Sequence, residues 1–201
     1  MHRVETGEKV VALTFDDGPD PAGAQQVLDT LAARDVKATF FLVGRELREH
    51  PELGRRIAQA GHEVGNHTYS HERMVGVTPG FVAQEVEDTD ALIRATGYGG
   101  EIRFRPPNGK KLFALPHYLS QHDRTTVMWD VEPDSAGTPA AARVVEETLA
   151  KTRPGSIVLL HPMYAARDQT RQALGPVIDG LRERGFRFVT VSELLQARPG
   201  R

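Results

Sequence analysis

Short apolar runs rich in β-branched residues recur along the chain, separated by segments with a different period. They fall at Val10–Phe15, Ala38–Val43, Glu63–Gly65, Ile102–Phe104, Thr126–Val131, Ile157–Leu160 and Phe186–Val191. Each is short enough for a strand and too short for a helix. Between most of them the apolar positions follow helical spacing. Ala24, Val27, Leu28 and Leu31 make one stripe, and Leu53, Ile57 and Ala60 a second that stops at Gly61. Val82, Val86, Thr89 and Ile93 make a third, entered through Thr78-Pro79 and ended near Gly97. Val144, Val145, Thr148 and Leu149 make a fourth, and Leu174, Val177, Ile178 and Leu181 a fifth. Strands alternating with helices predict an α/β domain with a parallel sheet. The pattern alone does not choose between an open sheet and a closed barrel. In either form the working site lies at the C-terminal strand ends.

Polar groups gather at those ends. The first strand runs into Asp16-Asp17, the third into His67 and His71, and the fourth into Arg105. The fifth reaches Asp130 and Asp134, and the sixth ends at His161. This convergence is topological: one mouth receives titratable groups from five strands.

Composition narrows the chemistry. The 201 residues suit one domain, 1–201, with a proper core. Net charge is −2 and the two signs are interspersed, so no basic surface argues for nucleic acid. Cysteine is absent, which excludes disulfides and thiolate metal sites. No apolar run is long enough to span a membrane, and the polar start "MHRVETGEKV" shows no secretory leader.

Each candidate has a plain and a chemical reading. Asp16-Asp17 can be a turn with a helix cap. Alternatively one carboxylate holds a cation and the other stays free beside the bound water. Gly18 permits a tight turn, and Pro19 or Pro21 can open the next helix. His67 and His71 stand four apart, so one helical turn would aim both imidazoles at a shared metal. Arg105, before two prolines, is either a solvated loop residue or a fork that keeps a carboxylate ionised. The stiff loop after it can aim backbone N–H groups at a substrate oxygen. His161 can be an ordinary histidine at a strand end; its shared mouth favours a working role.

These residues carry a resemblance. "TFDDGP" at 14–19, "HTYSH" at 67–71, "RPPNG" at 105–109, "WDVEPD" at 129–134 and "LLH" at 159–161 stand in the order of the polysaccharide deacetylase family. This is the NodB-homology domain of carbohydrate esterase family 4, and the likeness covers nearly the whole chain. It implies a distorted (β/α)7 barrel. It implies that Asp17, His67 and His71 bind a divalent metal, usually zinc, with cobalt, nickel or manganese as alternatives. Asp16 is then the general base, Arg105 its tether and His161 the general acid. Asp134 is the partner that keeps His161 charged, preferred over Asp130. The backbone N–H of Asn108 enters the oxyanion hole, and Leu159 lines the acetyl-methyl pocket. Pro107 and Trp129 join Asn108 and Leu159 as substrate-contacting residues.

The resemblance implies an N-deacetylase of N-acetylglucosamine-containing glycans, such as chitin, chito-oligosaccharides or peptidoglycan, working outside the cytoplasm; with no leader visible, a cytoplasmic protein is the alternative. An O-deacetylase such as an acetylxylan esterase uses the same site, and a non-catalytic glycan-binding protein could share the fold. Two positions depart from the family pattern. Asn108 stands where the third motif usually carries an aromatic, and Ser135 where the fourth carries Trp. Trp129 lies earlier on its strand and is not read as the replacement. Lys110 and Lys111 follow the third motif as a solvated loop or as a subsite for an anionic or long glycan.

Overall fold

The computed structural model describes residues 1–197. β1 (Val10–Asp16) is buried along its whole length, as a strand covered on both faces must be. β2 (Thr39–Leu42) pairs parallel to it, with Asp16 opposite Phe41, and β3 (Glu63–Asn66) pairs parallel to β2. On its other edge β1 pairs with β4 (Ile157–Leu160), Phe15 opposite Leu160. The order β3-β2-β1-β4 is extended by single parallel bridges: Asn66 to Phe104, Phe104 to Thr126, and Val131 to Val158 of β4. These bridges lead back to β4 and close the barrel. The fold is α/β of the (β/α)7 type, with two of its seven staves reduced to bridges.

The two reduced staves were expected as strands. Phe104 is followed by Arg105 and two prolines, which lack a ladder donor. Along 126–131, the carbonyls of Val127 and Met128 accept from the Arg105 guanidinium. The last stave is also short. β5 (Arg187–Phe188) meets only the start of β1, on the edge opposite β4. Its run stops at Thr190, where a reciprocal pair of bonds with Glu193 begins a helix.

Helices cover the outside. α1 (Ala24–Ala32), α3 (Pro51–Gln59), α4 (Pro79–Ala95), α6 (Ala141–Lys151) and α7 (Asp168–Glu183) match the five expected stripes. α1 begins at Ala24 rather than at Pro19 or Pro21, because Asp20 first closes a turn by accepting from the Ala22 N–H at 2.7 Å. Three short helices were not legible as stripes: α2 (Gly44–Glu49), α5 (Ala114–Gln121) and α8 (Val191–Gln196).

Period-two alternation along β1 decides what faces where. Val11, Leu13 and Phe15 point outward and pack with Val27, Leu31, Leu174 and Val177 of the helices. Val10 and Ala12 point inward with Phe41, Val127 and Ile157. Thr14 and Asp16 continue that inner face. The barrel interior therefore passes from apolar to hydroxyl to carboxylate as β1 approaches its C-terminal end.

Candidate active site

Asp16 arrives at the mouth buried, and burial alone would raise its pKa. Arg105, with His67 and His161, overrides this and holds the carboxyl below its ordinary range. The Arg105 guanidinium donates to Asp16 Oδ1 at 2.6 Å. It also donates to Thr14 Oγ1 at 2.9 Å and to the carbonyls of Val127 and Met128, both at 3.2 Å. Its carbon lies 4.1 Å from the Phe41 ring centroid. Burial pulls the Arg105 pKa down, but a guanidinium stays charged at any ordinary pH.

Asp17 turns the chain sharply, with φ 74°. Its Oδ1 lies 3.3 Å from His71 Nε2. His67 is buried, which disfavours its charged form. Its Nδ1 sits 2.7 Å from the Arg105 carbonyl, which can only accept. Nδ1 therefore carries the proton and Nε2 presents its lone pair. One ligand atom each from Asp17, His67 and His71 lies within 4.8 Å of the others. Ligands about 2.0–2.1 Å from a tetrahedral ion stand about 3.3 Å apart, so this donor set fits a metal.

The residues 67–71 are not a helical turn, contrary to the expectation from their spacing. Thr68 and His71 have φ of 68° and 61°. Side chains satisfy the loop instead. Asn66 Oδ1 accepts the Thr68 N–H, and Glu85 Oε2 accepts those of Tyr69 and Ser70 at 3.0 and 2.9 Å. Glu85 is buried between Val82 and Val86 on the apolar face of α4. An acid inside an apolar stripe was the signal available for it. Glu85→Gln is expected to weaken divalent-metal binding about tenfold to a hundredfold without unfolding the protein, as loss of an outer partner does. Competitive titration with a chromogenic chelator measures this.

Across the mouth, Asp134 Oδ1 meets His161 Nδ1 at 3.0 Å, and Oδ2 accepts the His161 N–H at 2.7 Å. Thr170 Oγ1 donates to the same Oδ2 at 3.1 Å. Burial works against the charged imidazole, but the Asp134 bond and charge, with Asp16 and Asp17, push His161 up to about 9. Asp130 does not reach the histidine. It accepts from Ser156 Oγ and the Ile157 N–H at the start of β4.

Because the folded pKa of His161 exceeds the ordinary 6.5, the pair's stabilisation is complete below about pH 6.5. It is lost as pH rises through about 9. An NMR titration of His161 is expected to give about 9 in metal-free protein and a lower value with zinc, which cancels the Asp17 charge. Asp134→Asn is expected to bring the value to or below 6.5.

A cleft of about 390 Å³ joins these groups. Asp16, Asp17, His67, His71, Asn108, Trp129, Leu159 and His161 line it, together with Glu132, Ser135 and Arg167. Arg105 and Asp134 are buried behind its wall. Pro107, expected to contact substrate, is buried too and does not line the cleft. The carbonyls of Pro106 and Pro107 accept from Gly109 and Lys110, so the prolines shape the turn. Within that turn Asn108 has φ 55°, and its N–H donates to no group among the described residues. Trp129 does stand in the wall, its indole N–H donating to Glu132 at 2.8 Å. Glu132 and Arg167 were missed by sequence reasoning. Arg167 ends a 3₁₀ turn (Ala165–Arg167) just before α7 and reaches the cleft by bonding to the carbonyls of Asp134 and Gly137.

Together, barrel and cleft describe a hydrolase whose polar groups converge on a histidine–carboxylate cluster. More narrowly, the chain belongs to the polysaccharide deacetylase family, whose model matches residues 3–127. It is 36% identical over 201 residues to a chitooligosaccharide deacetylase of Bradyrhizobium, covering 94% of this chain and 92% of that one. A solved peptidoglycan N-acetylglucosamine deacetylase, bound to a naphthyl N-hydroxybenzamide, superposes with a TM-score of 0.91 at 30% identity. That match covers 100% of this chain and 94% of the other. A CE4-family pseudoenzyme from Bacillus anthracis also superposes, with a TM-score of 0.86 at 30% identity over 98% of this chain and 69% of that one. Chains without activity thus share the fold, and the residues of the site must carry the functional argument.

Proposed function

We propose that the chain acts as one catalytic domain that hydrolyses the N-acetyl group of N-acetylglucosamine units in a glycan, releasing acetate. The observation that carries this reading is the placement of two oppositely tuned groups around one donor cluster. Asp16, held ionised, lies 3.4 Å from His67 on one side, and His161, pushed toward its charged form, lines the same cleft with Asp134 behind it. Groups driven apart in this way are the mark of a base and an acid.

Asp17, His67 and His71 would hold the divalent cation, and two imidazoles with one carboxylate favour zinc. The cation supplies acidification of a water and polarisation of the acetyl carbonyl. Asp16 accepts the proton of the attacking water, and Arg105 keeps its carboxylate aimed and charged. The Asn108 N–H donates to the carbonyl oxygen as negative charge develops there. His161 then gives its proton to the leaving nitrogen, which could not depart as an anion. Leu159 and Trp129 bound the space for the acetyl methyl and the sugar.

The test is acetate release from chitin oligomers, peptidoglycan strands, acetylated xylan and a small aryl acetate. Each is run on chelated protein and again after zinc or cobalt is added back. Release from N-acetylated glycans that vanishes on chelation and returns with metal is the expected result. Release from acetylated xylan alone would replace the amide reading with an ester one. Silence on every substrate, with one metal bound, would reject catalysis.

A further inference from the structure

The loop that carries Asn108 does not end at the cleft. It continues as Lys110-Lys111-Leu112-Phe113, beside the segment that follows His71. Lys111 pairs with Met74, and the Leu112 N–H donates to the Met74 carbonyl at 3.1 Å. The underside of this ridge is anchored: Met74 and Leu115 are buried with Val82, Val86, Phe104 and Leu119. The upper side is not covered. Val75 is 47% exposed, Leu112 42% and Phe113 82%. Phe113 adopts φ 45°, ψ −82°, a backbone region that a bulky residue avoids. A fold that holds a phenylalanine in this conformation, ring outward, holds strain of the kind found at binding sites.

Charge frames the apolar tips. Arg73, Lys110 and Lys111 are exposed and form no ion pair among the described residues, and Glu72 is the only acid in the two strips. The ridge is continuous with the cleft. His71 stands three residues before Met74, and Asn108, in the cleft lining, is five residues from Phe113. Five residues span at most about 18 Å. A glycan lying across the cleft would run onto the ridge after a few sugars. Three side chains are too small a patch for stable self-association, which needs about 800 Å² per partner.

We infer that this ridge is a distal subsite for a long glycan strand bearing carboxylates. Phe113 stacks on a sugar ring remote from the reacting unit, and Lys110 and Lys111 pair with the carboxylates. The inference rests on the deacetylase reading and narrows it to anionic, extended substrates. The platform supplies beyond the cleft an aromatic contact that Asn108 does not supply within it.

The experiment compares wild type with Phe113→Ala, Phe113→Trp and the double variant Lys110→Ala/Lys111→Ala. Substrates are di-N-acetylchitobiose, a chitin hexamer and soluble peptidoglycan strands. Phe113→Ala is expected to lower kcat/KM about tenfold on the hexamer and the strands, less than twofold on the disaccharide, and Phe113→Trp to restore it. The double lysine variant is expected to lose about fivefold on peptidoglycan strands only, a loss that shrinks as salt is raised. Equal losses on short and long substrates, or none on any, would overturn the subsite. So would a change in sedimentation without a change in glycan kinetics, which would mark a protein contact instead. Calorimetric binding of the strands separates the two readings. If wild type releases no acetate yet binds strands about tenfold more tightly than Phe113→Ala, the deacetylase reading falls and the platform stands. If the two proteins bind alike, the platform falls.

Discussion

Asp16→Asn is expected to lower acetate release from N-acetylated glycans by about a thousandfold while the protein still binds one zinc ion. The substitution keeps shape and one hydrogen-bond acceptor for Arg105, but an amide cannot take a proton from water. Removal of a general base costs about 10²–10⁴-fold. The metal measurement matters as much as the rate, because the two acids stand in similar relations to the histidines. Asp16 Oδ2 is 3.4 Å from His67 Nε2, and Asp17 Oδ1 is 3.3 Å from His71 Nε2. What distinguishes them is Arg105, which occupies the other oxygen of Asp16 and leaves Asp17 free for a cation. Asp17→Asn is accordingly expected to lose metal first and activity with it. If Asp16→Asn loses zinc as badly as Asp17→Asn, both acids hold the cation and the assignment of Asp16 as a separate base falls.

Arg105→Met is expected to destabilise the fold by about 3–5 kcal/mol, the usual cost of stripping one partner from a buried ion pair. For a chain of this size, that is a fall in Tm of roughly 10 °C. Arg105 is wholly buried, and four acceptors lose their donor at once: Thr14, Asp16 and the carbonyls of Val127 and Met128. Two of these belong to the stave that makes no regular ladder, so the guanidinium also holds the barrel wall. In the wild type, Asp16 has a folded pKa below its ordinary 3.8. Its stabilisation is therefore complete above about pH 3.8 and lost as pH falls through the lower folded value. In the variant only burial and weaker charges remain, so its carboxyl rises. The stability deficit then narrows on acidification as Asp16 takes a proton. The double variant Asp16→Asn/Arg105→Met is expected to be more stable than additivity allows. Chemical denaturation at pH 7 and pH 5 tests both statements. A loss below about 1 kcal/mol for Arg105→Met would show that the pair does not hold the site together.

Much of the site was legible because its residues lie at strand ends, where a change from apolar run to polar cluster is visible in one dimension. β1 is the clearest case. Its alternation assigns Val11, Leu13 and Phe15 to one face and leaves Thr14 and Asp16 on the other, so the inward carboxylate follows from period two alone. The Asp17-His67-His71 cluster and the place of His161 in the cleft were found from motif and position. The partners that orient them were mostly not. Glu85 lies on a helix 14 residues beyond His71, Thr170 nine residues beyond His161, and Arg167 at the end of a 3₁₀ turn before α7. Glu85 shows only as an acid inside an apolar stripe, and no local pattern marks Thr170 or Arg167, because their roles depend on a bond made across the fold. The helical turn expected for His67 and His71 failed for the same reason. Four-residue spacing favours a helix only while backbone N–H groups bond within the segment, and here Asn66 and Glu85 take them.

By itself, then, the sequence determined the strand-helix alternation and put Asp16, Asp17, His67, His71, Arg105, Asp134 and His161 at the strand ends, since each is written into short-range pattern; closure into a barrel came only from the family resemblance. Only the tertiary structure decided that 102–104 and 126–131 close the barrel by single bridges and that Glu132 and Arg167 wall the cleft. It alone set Phe113 outward on a ridge beside Asn108. Those features come from competition among distant partners for the same backbone groups and the same space, and a chain read residue by residue does not contain the distances that settle such competition.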